Sequence, residues 1–257
     1  MFDDNIIGAI LTTLPDSWQS HYVHIGANWT LSVVRNQAGA LQAGLATTPR
    51  AEQIAAQTGF HLGVNDVTIS NRSTLTQYIQ SPNPVAVVVG FATLNALLKP
   101  DETLIEDIDA ADWLVEHGRD RRVAVIGRFP FIDDELAPVA AQLWVFELKP
   151  RAGEYGADDL ASIIPQADIL AITGSTLVNH TLAGILALAS PTAKVMLLGP
   201  TTPLTPVLFD FGVDLLAGVL IDDVEAVMAA VAQGATFRSM AGVRRVTIRK
   251  KSGHHLD

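Results

Sequence analysis

No cysteine occurs among the 257 residues. That excludes disulfides and thiolate metal sites, and it removes cysteine usage as a guide to redox compartment. Basic residues are scarce: 17 Lys and Arg stand against 27 Asp and Glu, a formal net charge of −10. This balance opposes binding to nucleic acid or anionic membrane, because both are polyanions. The one basic run, "RRVTIRKK" (244–251), reads as a charged edge strand or a frayed tail. A long apolar run is missing too. The stretch "VAVVVGFATLNALL" (85–98) holds an Asn and falls short of the roughly 20 residues a membrane helix needs. The start, "MFDDNIIGAILTTLPDSW", is acidic and lacks the basic region of a signal peptide. The Asn-x-Ser/Thr triplets at Asn28, Asn71 and Asn179 are therefore read as chance, and a soluble, cytoplasmic protein is expected.

Familiar catalytic patterns are also lacking. There is no H-E-x-x-H, no carboxylate pair and no G-x-S-x-G elbow. His21 and His24 are three apart in a strand-like run, so they point to opposite faces and do not chelate as a pair. His254 and His255 fall in the tail. His180 is the one histidine expected near a binding crevice, with a surface role as its plainer reading. Covalent catalysis through Ser175 would need a base that the sequence does not identify.

What is present is a globular composition, 49% apolar and 17% charged, in a chain long enough for one large domain or two smaller ones. Residues 1–80 read as a small α+β unit. Ile6, Ile10 and Leu14 have helical spacing, with Asp3 or Asp4 as N-cap and Pro15 as a stop. "SHYVHIG" (20–26) and "WTLSVV" (29–34) suggest a hairpin, "AGLATTP" (43–49) a strand end or loop, and "STLTQYIQ" (73–80) a helix. Residues 81–120 form a connection: a proline-bounded helix over 82–100, then a charged linker at 99–109. Gly90 and Ala92 are small enough for another element to approach that helix.

From residue 121 to 257 short apolar runs alternate with helical stretches. Strands are expected at 122–127, 143–148, 168–173, 193–199 and 213–220, with helices near 133–141, 157–163, 176–188, 203–210 and 222–232. Unbroken apolar strands separated by helices imply a parallel sheet covered on both faces, a doubly wound, Rossmann-like α/β domain. In such a sheet ligands bind beyond the carboxyl ends of the strands. The loops there are "GRFP" (127–130), "ELKP" (147–150), "TGST" (173–176) and "GPTTP" (199–203).

A dinucleotide fingerprint needs three glycines, and the first loop has only Gly127, followed by Arg128, Phe129 and Pro130. Glu147, about 20 residues on, stands where an acid would meet ribose hydroxyls, or else is a capping or surface residue. NAD is thus a weak match. In "TGST", Ser175 or Thr176 could cap the next helix, whose N-terminus could receive an anionic group, with Arg128 adding a cation from the neighbouring loop. A bare helix cap and a solvated arginine are the plainer alternatives. Asn95, in an otherwise apolar helix, either bonds the backbone of a neighbouring element or orients a ligand.

"VGFATLNA" (89–96), "VIGRFP" (125–130), "ADILAITGSTLVNHTL" (167–182) and "GPTTPLTPVLFDFG" (199–212) together resemble the family described as "putative heavy-metal chelation". The resemblance implies an enolase-N-terminal-like domain capping the carboxyl rim of a Rossmann-like one, with a site between them. Its cleft residues would be Gly90, Asn95, Gly127, Arg128, Pro130, Glu147, Thr173 and Gly199, joined on the same loops by Gly174, Ser175, Thr176 and Pro200. The family pattern often has His where this chain has Arg128, and an arginine cannot ligate a cation. Heavy metals prefer thiolate and imidazole, which are scarce here. The expectation is a small anionic ligand such as a metal chelate, or else a metal ion, with NAD or S-adenosylmethionine less favoured. The alternative is a Rossmann-type transferase, lyase or dehydrogenase acting on a nucleotide or amino-acid-like substrate. A homo-oligomer is the common arrangement to test for.

Overall fold

Small polar residues and prolines punctuate the N-terminal third, and the elements begin and end at them. A computed structural model describes residues 2–50 and 69–251. Helix α1 (Phe2–Thr12) starts ahead of Asp3 and Asp4, so neither holds the N-cap position, and it ends before Pro15. Strands β1 (Gln19–Ile25), β2 (Trp29–Arg35) and β3 (Leu41–Thr47) form an antiparallel meander. The expected hairpin is its first pair. The "AGLATTP" stretch is not a loop but most of β3. Its small residues let a helix lie directly on the sheet: a Cβ at Gly44 would overlap the backbone of Ala92, Asn95 and Ala96.

That helix is α3 (Pro84–Leu97), preceded by α2 (Arg72–Ile79). Asn83 caps α3 by accepting from Val85 N at 2.8 Å, with Pro84 at the first helical position. Its β-branched run survives because the helix is buried nearly all round, where packing outweighs intrinsic propensity. The other face of the meander lies on α8 (Val224–Ala232), with Leu31, Val33 and Leu45 against Val227 and Val231.

The large sheet has seven strands in the order β4-β10-β9-β8-β7-β5-β6. Five are parallel: β5 (Arg122–Ile126), β6 (Gln142–Phe146), β7 (Ile169–Thr173), β8 (Lys194–Leu198) and β9 (Leu215–Ile221). Alternate residues feed the two faces. Ala124, Ile126, Leu170 and Ile172 enter one core, Val123, Val125, Ile169 and Ala171 the other. The first of these cores also takes in Ile6, Ile10, Phe91 and Leu94, so the N-terminal unit and one sheet face are packed as a single apolar body.

Two expectations fail at this sheet. The basic run is neither edge nor tail. It is β10 (Val243–Arg249), antiparallel to β9 and penultimate in the sheet. The charged linker supplies the strand outside it, β4 (Ile105–Glu106). Its acids pair with the run: Arg249 with Glu106 at 3.2 Å, Arg245 with Asp109 at 3.6 Å and Arg244 with Glu102 at 3.5 Å, while Asp222, from the turn after β9, also meets Arg244 at 3.1 Å.

The crossovers are shorter than expected. Helix α4 (Ala110–His117) leads into β5, but 133–141 holds only a π-turn at Ile132–Leu136, cut short ahead of Pro138. Residues 157–163 form a 3-10 turn followed by α5 (Leu160–Ile163). The helix expected over 176–188 is broken into α6 (Ser175–Val178) and α7 (Leu182–Leu186) around His180, whose φ is +56°. The stretch near 203–210 is a 3-10 helix, Pro206–Phe211. Among the described residues no helix is long and apolar enough to cross a membrane. His61, His254 and His255 lie outside the described residues.

Candidate functional site

The chain runs from β5 outward to β6, then back across to β7 on the other side of β5. The strand order therefore reverses between β5 and β7, and the crevice of such a sheet opens beyond their carboxyl ends. Gly127 follows β5, Thr173 and Gly174 close β7, and Gly199 follows β8. Gly127 and Gly199 have φ of +97° and +107°, a backbone region that favours glycine.

The loops lie on one another. A Cβ on Gly127 would come within 3.0 Å of Thr173 Cγ2, and one on Gly174 within 2.6 Å of Thr202 N. Their amides are already used. Gly127 N donates to Phe146 O at 2.9 Å, Gly174 N to Leu198 O at 2.9 Å, and Gly199 N to Ala217 O at 3.0 Å. Glycine N–H groups are thus extending the strand ladder, not cradling an anion.

"TGST" departs from its expected role. Gly174 holds the N-cap position of α6 and no side chain caps it. The Thr176 hydroxyl instead donates back to Thr173 O at 2.8 Å, and Thr176 is buried. Because α6 has only four residues, its dipole is that of one turn, too little to define an anion site.

Over this rim sits the N-terminal unit, joined by uncharged groups. Thr201 Oγ1 lies 3.0 Å from both Thr47 N and Thr47 Oγ1. Asn95 Nδ2 donates to Leu45 O at 2.9 Å and to Thr201 O at 3.1 Å. The structural alternative for Asn95 therefore holds: it ties β3 to the loop after β8. Two oxygens in this junction are left over. Among the described residues Asn95 Oδ1 and Thr202 Oγ1 are both buried without a hydrogen-bond partner, and Thr202 is only 3% exposed. A buried polar atom without a partner costs free energy, so it marks a place for a water or a ligand.

Arg128 turns to acids of its own chain. Its guanidinium pairs with Asp133 at 3.0 Å and with the nearly buried Glu154, whose other oxygen accepts from Arg151 N at 2.7 Å. It is not a free cation waiting for an anion. Glu147 is half-buried, and among the described residues its carboxylate has no partner. Pro130 is exposed, and Ser175 and Pro200 are partly so. Gly90 does not join this group: it packs against α2, where a Cβ would meet Ile79 Cγ1 at 2.8 Å. His180 is exposed at the break between α6 and α7.

Sequence reasoning overlooked Thr47, Thr201, Thr202 and Glu154. The only advance signal was "GPTTP" itself, two hydroxyls in a stretch otherwise fit for burial.

Two family models, both described as putative heavy-metal chelation, match residues 109–250 and 21–98. The chain belongs to this family. Among solved structures similar to this member of the heavy-metal chelation family, one is a DUF364-family protein of unknown function from Desulfitobacterium hafniense DCB-2. It is 25% identical, covers 96% of this chain and 98% of its own, and has a TM-score of 0.79. Another, a DUF364-family protein of unknown function from Pyrococcus horikoshii, is similar in fold: TM-score 0.79 at 21% identity, with 97% and 100% of the two chains covered. No curated protein matches the chain. The family's description can be held against the donor set. Among the described residues no group of three or more His, Asp or Glu side chains could hold a metal ion, and there is no cysteine. These residues do not fit a bare soft metal ion ligated by side chains.

Proposed function

We propose that this member of the heavy-metal chelation family binds a small anionic ligand, a metal chelate included, where the N-terminal meander meets the carboxyl rim of the large sheet. The observation that carries the reading is the pair of buried oxygens without partners, Asn95 Oδ1 and Thr202 Oγ1. The Asn95 amide cannot flip, because both of its Nδ2 bonds go to carbonyl oxygens. Its Oδ1 therefore only accepts, whereas the Thr202 hydroxyl can donate. A ligand bearing both a donor and an anionic oxygen satisfies the two together, as hydroxycarboxylate and aminocarboxylate chelators do.

The surroundings favour a chelate over a free polyanion. Arg128 is already matched by two carboxylates, so the rim offers little net positive charge. A metal held within the ligand offsets the ligand's own carboxylates. The metal is then cargo, and the protein touches the chelator.

Calorimetric titration with citrate and with a simple aminocarboxylate, each free and loaded with a divalent metal, tests this. The loaded forms should bind more tightly, and Thr202→Val should weaken the binding of both forms while leaving the fold intact. Binding of the bare metal, reversed by EDTA, would overturn the proposal.

One observation favours a second reading, a Rossmann-type enzyme for a nucleotide or amino-acid-like substrate. Glu147 follows the second strand of the parallel sheet with a carboxylate that has no partner among the described residues. A thermal shift with NAD or S-adenosylmethionine that Glu147→Ala removes would favour the enzyme.

A further inference from the structure

Among the described residues the two sheets have four outer edges, and three are shortened or contacted along their outer side. Beside β3, Thr47 N is held by Thr201 Oγ1. Beyond β10 the large sheet ends in β4, two residues long and carrying a charge. Along β6, Tyr155 N donates to Val145 O at 2.9 Å and Glu147 N to Tyr155 O at 3.0 Å, so a following segment closes that side. These are the usual ways in which proteins blunt a strand edge.

β1 is the exception. Outside its ladder with β2, none of its backbone groups is hydrogen-bonded among the described residues. Its seven residues, QSHYVHI, include no Asp, Glu, Lys or Arg and no proline. A bulge between Ser20 and Tyr22 is its one protective device, and Tyr22–Ile25 beyond it keep regular register. Two of the four exposed large hydrophobic residues, Tyr22 at 36% and Ile25 at 38%, lie on this strand. Tyr22 is already ordered: its hydroxyl lies 3.1 Å from His24 Nδ1 and the two rings stack. Little side-chain entropy remains to be lost on docking.

We propose that β1 pairs antiparallel with β1 of a second copy of this chain, joining the two meanders into one six-stranded sheet about a two-fold axis. Two observations select a second copy as the occupant. An antiparallel pair of identical strands is self-complementary, each backbone donor meeting an acceptor on the other copy. Charge then discriminates among surfaces. Two copies at −10 repel over most approaches, and β1 brings a strand without acidic residues to meet its own image. Tyr22 and Ile25, three apart, lie on opposite faces of the joined sheet, and each adds apolar surface beside the seam. A seven-residue strand is about 23 Å long, which puts the contact at the small end of specific interfaces, so the dimer dissociates in the micromolar range.

Sedimentation velocity on the full chain across a micromolar concentration series is the test. The expected result is a monomer–dimer equilibrium. Ile25→Lys and, separately, Tyr22→Lys should weaken it by about tenfold or more, because each replaces apolar surface at the seam with a charge and brings two like charges, one from each copy, near the axis. Leu148→Lys, which alters the most exposed large hydrophobic residue, at 70%, should leave it unchanged. Should both lysine variants unfold, hydrogen exchange on the native chain decides instead: the outward amides of β1 gain protection as concentration rises. A chain that stays monomeric throughout, a dimer that survives both lysines, or β1 amides whose exchange ignores concentration would overturn the proposal.

Discussion

The two ends of the large sheet are held by different chemistry. At the amino end, charged residues ahead of the strands act as clamps. Asp168 precedes β7 and grips the start of β5, accepting from Arg122 N at 2.9 Å and pairing with the Arg122 guanidinium at 2.7 Å. Asp214 precedes β9 and grips the start of β8, accepting from Val195 N at 2.9 Å with Lys194 Nζ 3.1 Å away. Each clamp uses both carboxylate oxygens. At the carboxyl end the ties between the sheet and the N-terminal unit are threonine hydroxyls and one amide, glycines set the spacing, and two oxygens are left without partners. One end is saturated and the other is not. That asymmetry separates stability from binding more clearly than any single residue does.

The largest effect is expected at Gly174. Gly174→Ala would push a methyl into Thr202 N and Oγ1, and because backbone cannot swing aside, it should destabilise the protein by about 2–3 kcal/mol in a denaturant titration. A loss of only a few tenths would mean that the rim loops are softer than their packing implies. Asp168→Asn should cost less, about 1 kcal/mol, since the Arg122 side chain is half exposed and solvent screens the pair.

The same clamp has a pH signature. The Arg122 guanidinium, helped by Arg122 N–H, holds the Asp168 carboxyl down at about 2. An unfolded Asp titrates near about 3.9, so its contribution is complete above about pH 4 and fades as pH falls toward about 2. The difference in melting temperature between the native chain and Asp168→Asn should shrink over that window and stay constant above it. Thr202→Val should have the smallest effect on stability, within about 0.5 kcal/mol or slightly favourable, because it deletes a buried hydroxyl that has no partner. A large loss there would show that the hydroxyl has a structural partner and would remove the main support for a ligand at the rim.

The parallel strands were legible because a strand buried on both faces must be apolar throughout, and runs such as "RVAVIG" and "AKVMLLG" can be little else. The crossovers were not. "IDDELAP" has helical composition, yet Pro138 leaves room only for a π-turn, and a left-handed His180 splits the next helix with no glycine to announce it. The basic run looked like an edge because its neutralising acids lie some 140 positions earlier, in what reads as a linker. The rim loops could be located from strand ends alone. Their chemistry could not, because Thr47 and Thr201 meet across 154 positions and a threonine leaves no periodic trace. Arg128 shows the converse: its type and place suggested an anion site, and a nearly buried Glu154 had already taken it.

The gap between the two matched family regions, residues 99–108, holds β4. A boundary of homology therefore runs through a strand of the larger sheet, and the apolar body behind it is assembled from both sides, from Ile6 to Ile248. A fragment cut at residue 109 would leave β10 as a bare basic edge, with Arg249 without Glu106 and Arg244 without Glu102. It should aggregate or fail to fold, whichever half is kept for study.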